Sequence, residues 1–144
     1  MTKTSNYKFM IFFRLIAGLV LLVFGIIHFL KPEPLQNILI ASGIPMVELN
    51  LYLVPFAETL SGILMLLGWY TRIGGLIGAG TMLGAVYSTI VLAKMTVANL
   101  PDGLTEIPFV PALPIPIGVL ICTLVIIILG GGAWSLDLYN QRTN

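Results

Sequence analysis

Apolar residues fall into four long runs with polar stretches between them, and the polar positions inside the runs recur at helical spacing. The first run, about Phe9–Leu30, stops at His28 and the pair Lys31-Pro32. The second covers about Leu49–Tyr70, with Pro55 expected in its first turns, where a missing amide is best tolerated. A tight Thr71-Arg72 turn leads to the third, about Ile73–Ala93. The fourth begins near Ile115, and the helix it predicts extends to about 133, loosened by Gly130-Gly131-Gly132. Each run approaches the roughly 20 residues that cross a hydrocarbon core as a helix. Between the first two, a proline-rich start and Gly43 bracket Leu35–Ser42, a segment too short to span and suited to the membrane interface. The pattern predicts an all-α integral membrane protein: one domain over 1–144, four spanning helices (about 9–30, 49–70, 73–93 and 115–133) in a bundle, and a short interfacial helix between helices 1 and 2.

Composition agrees. Mean hydropathy is +1.02, and charged residues make up 9%, against about 25% in a soluble domain. The N-terminal run is too long for the core of a signal peptide, and no small-x-small cleavage site follows it, so it reads as a retained transmembrane helix. The segment Lys94–Pro114 holds Pro101, Pro108, Pro111 and Pro114 and is apolar for a loop. A re-entrant path onto the membrane surface and a plain stiff linker both fit it.

Charge sets an orientation. One side holds Lys3, Lys8, Arg14, Arg72 and Arg142, and the other only Lys31 and Lys94, so the positive-inside rule places both termini in the cytoplasm. The expected location is the cell (inner) membrane. The acids Glu33, Glu48, Asp102 and Glu106 on the outer side hardly affect that rule. A net charge of +1 with no basic stripe gives no support for a nucleic-acid partner. One cysteine, Cys122, and one histidine, His28, exclude an intramolecular disulfide and a bis-histidine haem within a single chain, and no metal-ligand cluster can be assembled. A redox role would borrow its cofactor, from a quinone, a partner subunit carrying a redox centre, or a second copy in a homo-oligomer.

Polar residues inside apolar helices are where function is sought in such a chain. Helix 1 carries a stripe of Arg14, Gly18, Leu21, Gly25 and His28, and helix 2 one of Glu58, Gly62, Met65, Trp69 and Arg72. Antiparallel helices then bring His28 and Glu58 to one depth in the outer half, with Arg14 and Arg72 near the inner face. The His28–Glu58 pair reads either as a staple between helices or as a proton-handling or headgroup-binding site. Tyr87 and Ser88, in the outer half of helix 3, lie at about that depth, so a cofactor-binding pocket of His28, Glu58, Tyr87 and Ser88 is one expectation. Asp137, just past helix 4, is the acid that can sit between the two arginines in a structural Arg14–Asp137–Arg72 cluster. Helix 3 offers two small-xxx-small pairs, Gly74/Gly78 and Gly80/Gly84, for close packing. Helix 4 reads as largely lipid-facing, with Cys122 an inert thiol. No catalytic residue set appears.

With these residues in view, the chain resembles the DoxX family of small four-helix membrane proteins. The matching stretches are Arg14 through Gly25 to His28, then Ala41 to Pro45, then Glu58 to Gly62 continuing through Leu67 to Arg72, and finally Gly130 to Asp137. The last is similar to a family ending of Gly-Pro-Gly-Arg-x-Ser-x-Asp, with glycine at 131 and alanine at 133 as departures. The resemblance implies a four-helix bundle and an association with respiratory and sulfur redox chemistry. It points to a membrane subunit or accessory protein of a quinone-linked oxidoreductase, with quinone as the candidate cofactor. Alternatives from other classes are a non-catalytic scaffold or assembly protein, and a carrier of a small apolar solute.

Overall fold

The computed structural model of the protein describes residues 6–143, so Lys3 lies outside the described residues. The described chain is all-helical: α1 (Met10–Leu30), α2 (Pro32–Ala41), α3 (Val47–Leu67), α4 (Thr71–Ala93), α5 (Pro114–Leu129) and α6 (Leu136–Thr143), with a single 3-10 turn at Val97–Asn99. Three of them, α1, α3 and α4, are long and apolar enough to cross a membrane. The fourth run forms only the 16-residue α5, about 24 Å at 1.5 Å per residue, which falls short of a roughly 30 Å core. α1 packs on α3, α3 on α4, α4 on α5 and α5 back on α1, while α2 lies against α3 and touches α1 and α4.

Helix ends follow local chemistry. α2 ends in a Schellman turn, with the amide of Gly43 on the Ile40 carbonyl (3.0 Å) and that of Ile44 on Leu39 (3.0 Å). α3 ends the same way, with Gly68 N–H on Met65 (3.1 Å) and Trp69 N–H on Leu64 (3.0 Å). Gly68 takes the left-handed conformation (φ 71°) that this turn needs. The second helix therefore stops at Leu67, three residues short of the expected Tyr70, and the turn is Gly68–Tyr70 rather than Thr71-Arg72. The fourth stops at Leu129 rather than 133, because Gly130 and Gly132 turn the chain with positive φ. Pro55 is not in the first turns of α3. It lies two turns in and is buried in the packing surface, because the helix begins earlier, at Val47.

α1 and α3 are antiparallel and very close. A Cβ built on Gly62 would lie 2.7 Å from the Leu22 amide nitrogen and 2.8 Å from the Gly18 carbonyl oxygen, so only a bare Cα fits the crossing. In α4, Gly74 and Gly78 face α3: a Cβ on Gly78 would meet Ser61 Oγ at 2.6 Å and Leu21 Cδ1 at 2.8 Å. Gly80 and Gly84 face open space, so one of the two small-residue pairs is used within the chain and the other is not. The core is Met10, Ala17, Leu21, Met65, Met82, Val119, Cys122 and Ile126. α5 thus buries one full stripe, with Thr123 beside it, and shows only its opposite face to lipid.

Candidate functional site

At the end of the bundle that carries the chain termini, two charged side chains close two helix ends. Arg14 is 4% exposed. Its Nε–H donates to the Met65 carbonyl (2.8 Å) and Nη2 to Leu66 (3.0 Å), while Nη1 donates to Gly131 (3.2 Å) and Trp134 (3.4 Å). Those first two carbonyls are in the last turn of α3, where a cation meets the negative end of the helix dipole. Gly68 also makes room: a Cβ there would lie 2.5 Å from Arg14 Nη2. Asp137 does the converse for α4. Its Oδ1 accepts from the Tyr70 amide (2.7 Å), and its Oδ2 accepts from the Thr71 amide (2.9 Å) and the Thr71 hydroxyl (2.6 Å), an N-cap supplied from another helix. Arg72 reaches the Ile128 carbonyl of α5 (3.2 Å). Arg14, Arg72 and Asp137 do gather at one end. The described hydrogen bonds of Arg14 and Asp137 run to backbone and to the Thr71 hydroxyl rather than to each other.

The stripe expected on helix 2 is cut by this arrangement. Glu58, Gly62 and Met65 are buried on α3, but Trp69 is exposed beyond the helix end and Arg72 belongs to α4. The α1 stripe is intact: Arg14, Gly18, Leu21 and Gly25 are all buried.

At the opposite end, His28 Nδ1 and Glu58 Oε2 are 2.8 Å apart, with side chains 16% and 5% exposed. α1 and α3 bring them together because the Gly18/Gly62 and Gly25/Thr59 crossings hold the two backbones near contact over about two turns of α1. The Phe24 ring lies one turn before His28, 6.0 Å from its ring centre. Among the described residues, neither His28 Nε2 nor Glu58 Oε1 has a further protein hydrogen-bond partner. An imidazole whose Nδ1–H points to a carboxylate presents Nε2 as the acceptor, so Nε2 and Oε1 are the atoms of the pair left to hydrogen-bond a polar headgroup.

The other two expected members do not join it in the same way. Tyr87 is 52% exposed on the outer surface of α4. Ser88 is buried but has no hydrogen bond to His28 or Glu58. A small recess of about 50 Å³, partly open, is lined by Phe24, Met82, Ala85, Pro111, Pro116 and Val119 among others, and by neither His28 nor Glu58. That is above the roughly 10–15 Å³ of free space that one water needs in a cavity. Two features had no clear signal in the sequence. Ser61 Oγ donates to the Gly74 carbonyl (2.6 Å), pinning α3 to α4, and Thr59 Oγ1 lies buried in the α1–α3 seam without a partner.

Apolar helices joined by buried polar contacts, with an ionisable pair between two of them, define a small polytopic helical membrane protein. The family model for DoxX matches residues 9–94, more than half of the chain, and the chain belongs to the DoxX family. The match spans α1 to α4 and includes Arg14, His28, Glu58 and Arg72; it does not reach the Gly130–Asp137 tail. No curated protein and no solved structure matches.

Proposed function

We propose that the protein is a membrane subunit or accessory protein of a quinone-linked oxidoreductase system, with His28 and Glu58 forming a headgroup and proton-exchange site near the outer interface. The observation that carries this reading is the 2.8 Å Nδ1–Oε2 contact at a nearly buried Glu58 in a chain this apolar. An intramembrane carboxylate is costly and is best explained by a task or a partner. Membership of the DoxX family supports the association only in outline. The residues fit a quinone held at the edge of the α1–α3 seam, where Nε2 and Oε1 have no protein partner, rather than in the recess lined by Phe24, which neither His28 nor Glu58 lines. A bound quinone would supply two-electron, two-proton redox chemistry, and a partner subunit or a second copy would supply the redox centre that exchanges electrons with it. Here Glu58 fixes the proton on Nδ1 and orients the ring. Nε2 takes or returns the exchanging proton, and the apolar walls of α1 and α3 keep bulk water from the pair.

In this reading α2 lies in the outer interface, both termini are cytoplasmic and the host bilayer is the inner membrane. The charge asymmetry supports that orientation. A scaffold role is the second reading. It is favoured by the opposite end of the bundle, where Arg14 and Asp137 have purely structural partners. The test is the quinone content of protein purified in mild detergent beside Glu58→Gln. Stoichiometric quinone in the wild type that is lost in a folded Glu58→Gln variant supports the site. Trace quinone, equal in both, sinks it in favour of the scaffold.

A further inference from the structure

The recess of about 50 Å³ lies between α1, α4 and α5. On α1 it is lined by Val20 and Phe24, and these two continue to His28 at four-residue spacing. Val20, Phe24 and His28 therefore follow one another along one face of the helix, about 6 Å apart in height. The Phe24 ring has its centre 6.0 Å from that of His28, so one side chain both flanks the ionisable pair and walls the recess. Val20 lies about 15 Å and Phe24 about 21 Å along α1 from Met10, inside a hydrocarbon core of roughly 30 Å. On α1 the recess thus begins one turn deeper in the bilayer than the pair.

The chemistry of the wall decides what can enter. Its one polar side chain is Thr89, whose hydroxyl donates to the Ala85 carbonyl one turn back (2.8 Å). A water in this recess would lack the roughly two to four polar partners that hold a buried water. The other lining residues, Met82, Pro111 and Val119 among them, are apolar. A partly open apolar hollow at this depth is filled by hydrocarbon, because empty space forfeits the contacts its lining would make. A molecule whose polar head hydrogen-bonds His28 or Glu58 near the outer interface runs its tail toward the midplane, past Phe24 and Val20. We propose, as a deepening of the quinone reading above on which it rests, that the recess receives the isoprenoid tail of the quinone whose headgroup meets His28 and Glu58. Phe24 is then a positioning residue between head and tail. That shared wall ties the recess to the headgroup site and favours the tail of the same molecule over an unrelated acyl chain.

The probes are a ubiquinone without a side chain and one carrying two isoprene units, each bound to wild type and to Ala85→Leu in the same mild detergent at one concentration. Partition of the tailed quinone into micelles is then common to both proteins, and the change in the affinity ratio reports the recess. Filling about 50 Å³ at the usual cost of a void corresponds to roughly 8-fold in affinity. The preference of wild type for the tailed quinone is expected to exceed that of Ala85→Leu by about this factor, since the leucine side chain occupies the hollow. An equal ratio in the two proteins overturns the proposal. An equal ratio with loss of copurifying phospholipid in Ala85→Leu also overturns it, and assigns the recess to an acyl chain. If Ala85→Leu does not fold, Ala85→Val is read in its place: a ratio below wild type supports the tail, and a wild-type ratio overturns it. Failure of the quinone reading looks different. It shows as trace quinone equal in wild type and Glu58→Gln, with neither probe bound by wild type, and the tail proposal then falls with it.

Discussion

At the residue scale, the two side chains best understood are Arg14 and Asp137, and both act on main-chain ends. Arg14 satisfies four carbonyls from α3 and the α5–α6 turn. Replacing it with Met keeps an unbranched apolar stem but removes the side-chain donor of all four oxygens, of which Met65 retains the Gly68 amide, so Arg14→Met is expected to lower stability by about 3 kcal/mol or more, read as a lower unfolding midpoint in detergent. Asp137→Ala removes an N-cap from α4, with an expected loss of about 1–2 kcal/mol and faster hydrogen exchange at the Tyr70 and Thr71 amides. The sequence shows these charges plainly and suggests pairing them with each other. Their real partners are helix-terminal carbonyls and amides, which become visible only once it is known that α3 ends at Leu67 and that α6 folds back over the turn. The His28–Glu58 meeting was readable because two successive spanning helices run antiparallel, and their polar positions then fall at matching depth. Thr59 was not, because a threonine inside an apolar run carries no pattern of its own.

At the element scale, the glycines separate two kinds of helix face. α4 presents Gly78 to Ser61 and Leu21, whereas Gly84, on the same helix, meets nothing. Gly78→Val is therefore expected to force α3 and α4 apart at a cost of about 1–3 kcal/mol, and Gly84→Ala to stay within about 0.5 kcal/mol of wild type. Thermal melts of the two variants in the same detergent check the contrast, and equal losses would contradict the packing described. Helical spacing alone marks Gly74/Gly78 and Gly80/Gly84 as equivalent. Which pair is used depends on where α3 lies around α4, and a one-dimensional pattern does not contain that angle.

At the scale of the whole molecule, the question is how many times the chain crosses. α1, α3 and α4 suffice by length, while α5 has 16 residues and is buried along one stripe by α1 and α4. If α5 also crosses, both termini share a side, and the Phe109 loop lies opposite to them. In a Cys122→Ala background, single cysteines at Phe109 and Gln141 are expected to react with membrane-impermeant thiol reagents from opposite sides of sealed vesicles, with Gln141 on the cytoplasmic side. Labelling of both from one side would mean that α5 does not span. Phe109 is nearly fully exposed, so its reactivity reports topology rather than packing.

Hydrophobicity and turn chemistry are local, and they were enough for the sequence by itself to determine a helical membrane protein, the approximate runs, the short helix between the first two and the buried stripe on α1. Tertiary structure decided which face of α4 is packed, that Arg14 and Asp137 close helix ends, that Tyr87 turns outward, and that the Thr59 hydroxyl is buried against Gly25. The physical reason is that hydrocarbon does not tell one apolar face from another. Rotation of each helix about its axis is set by close backbone approach at glycines and by buried polar groups finding partners, and both exist only between helices that have already met.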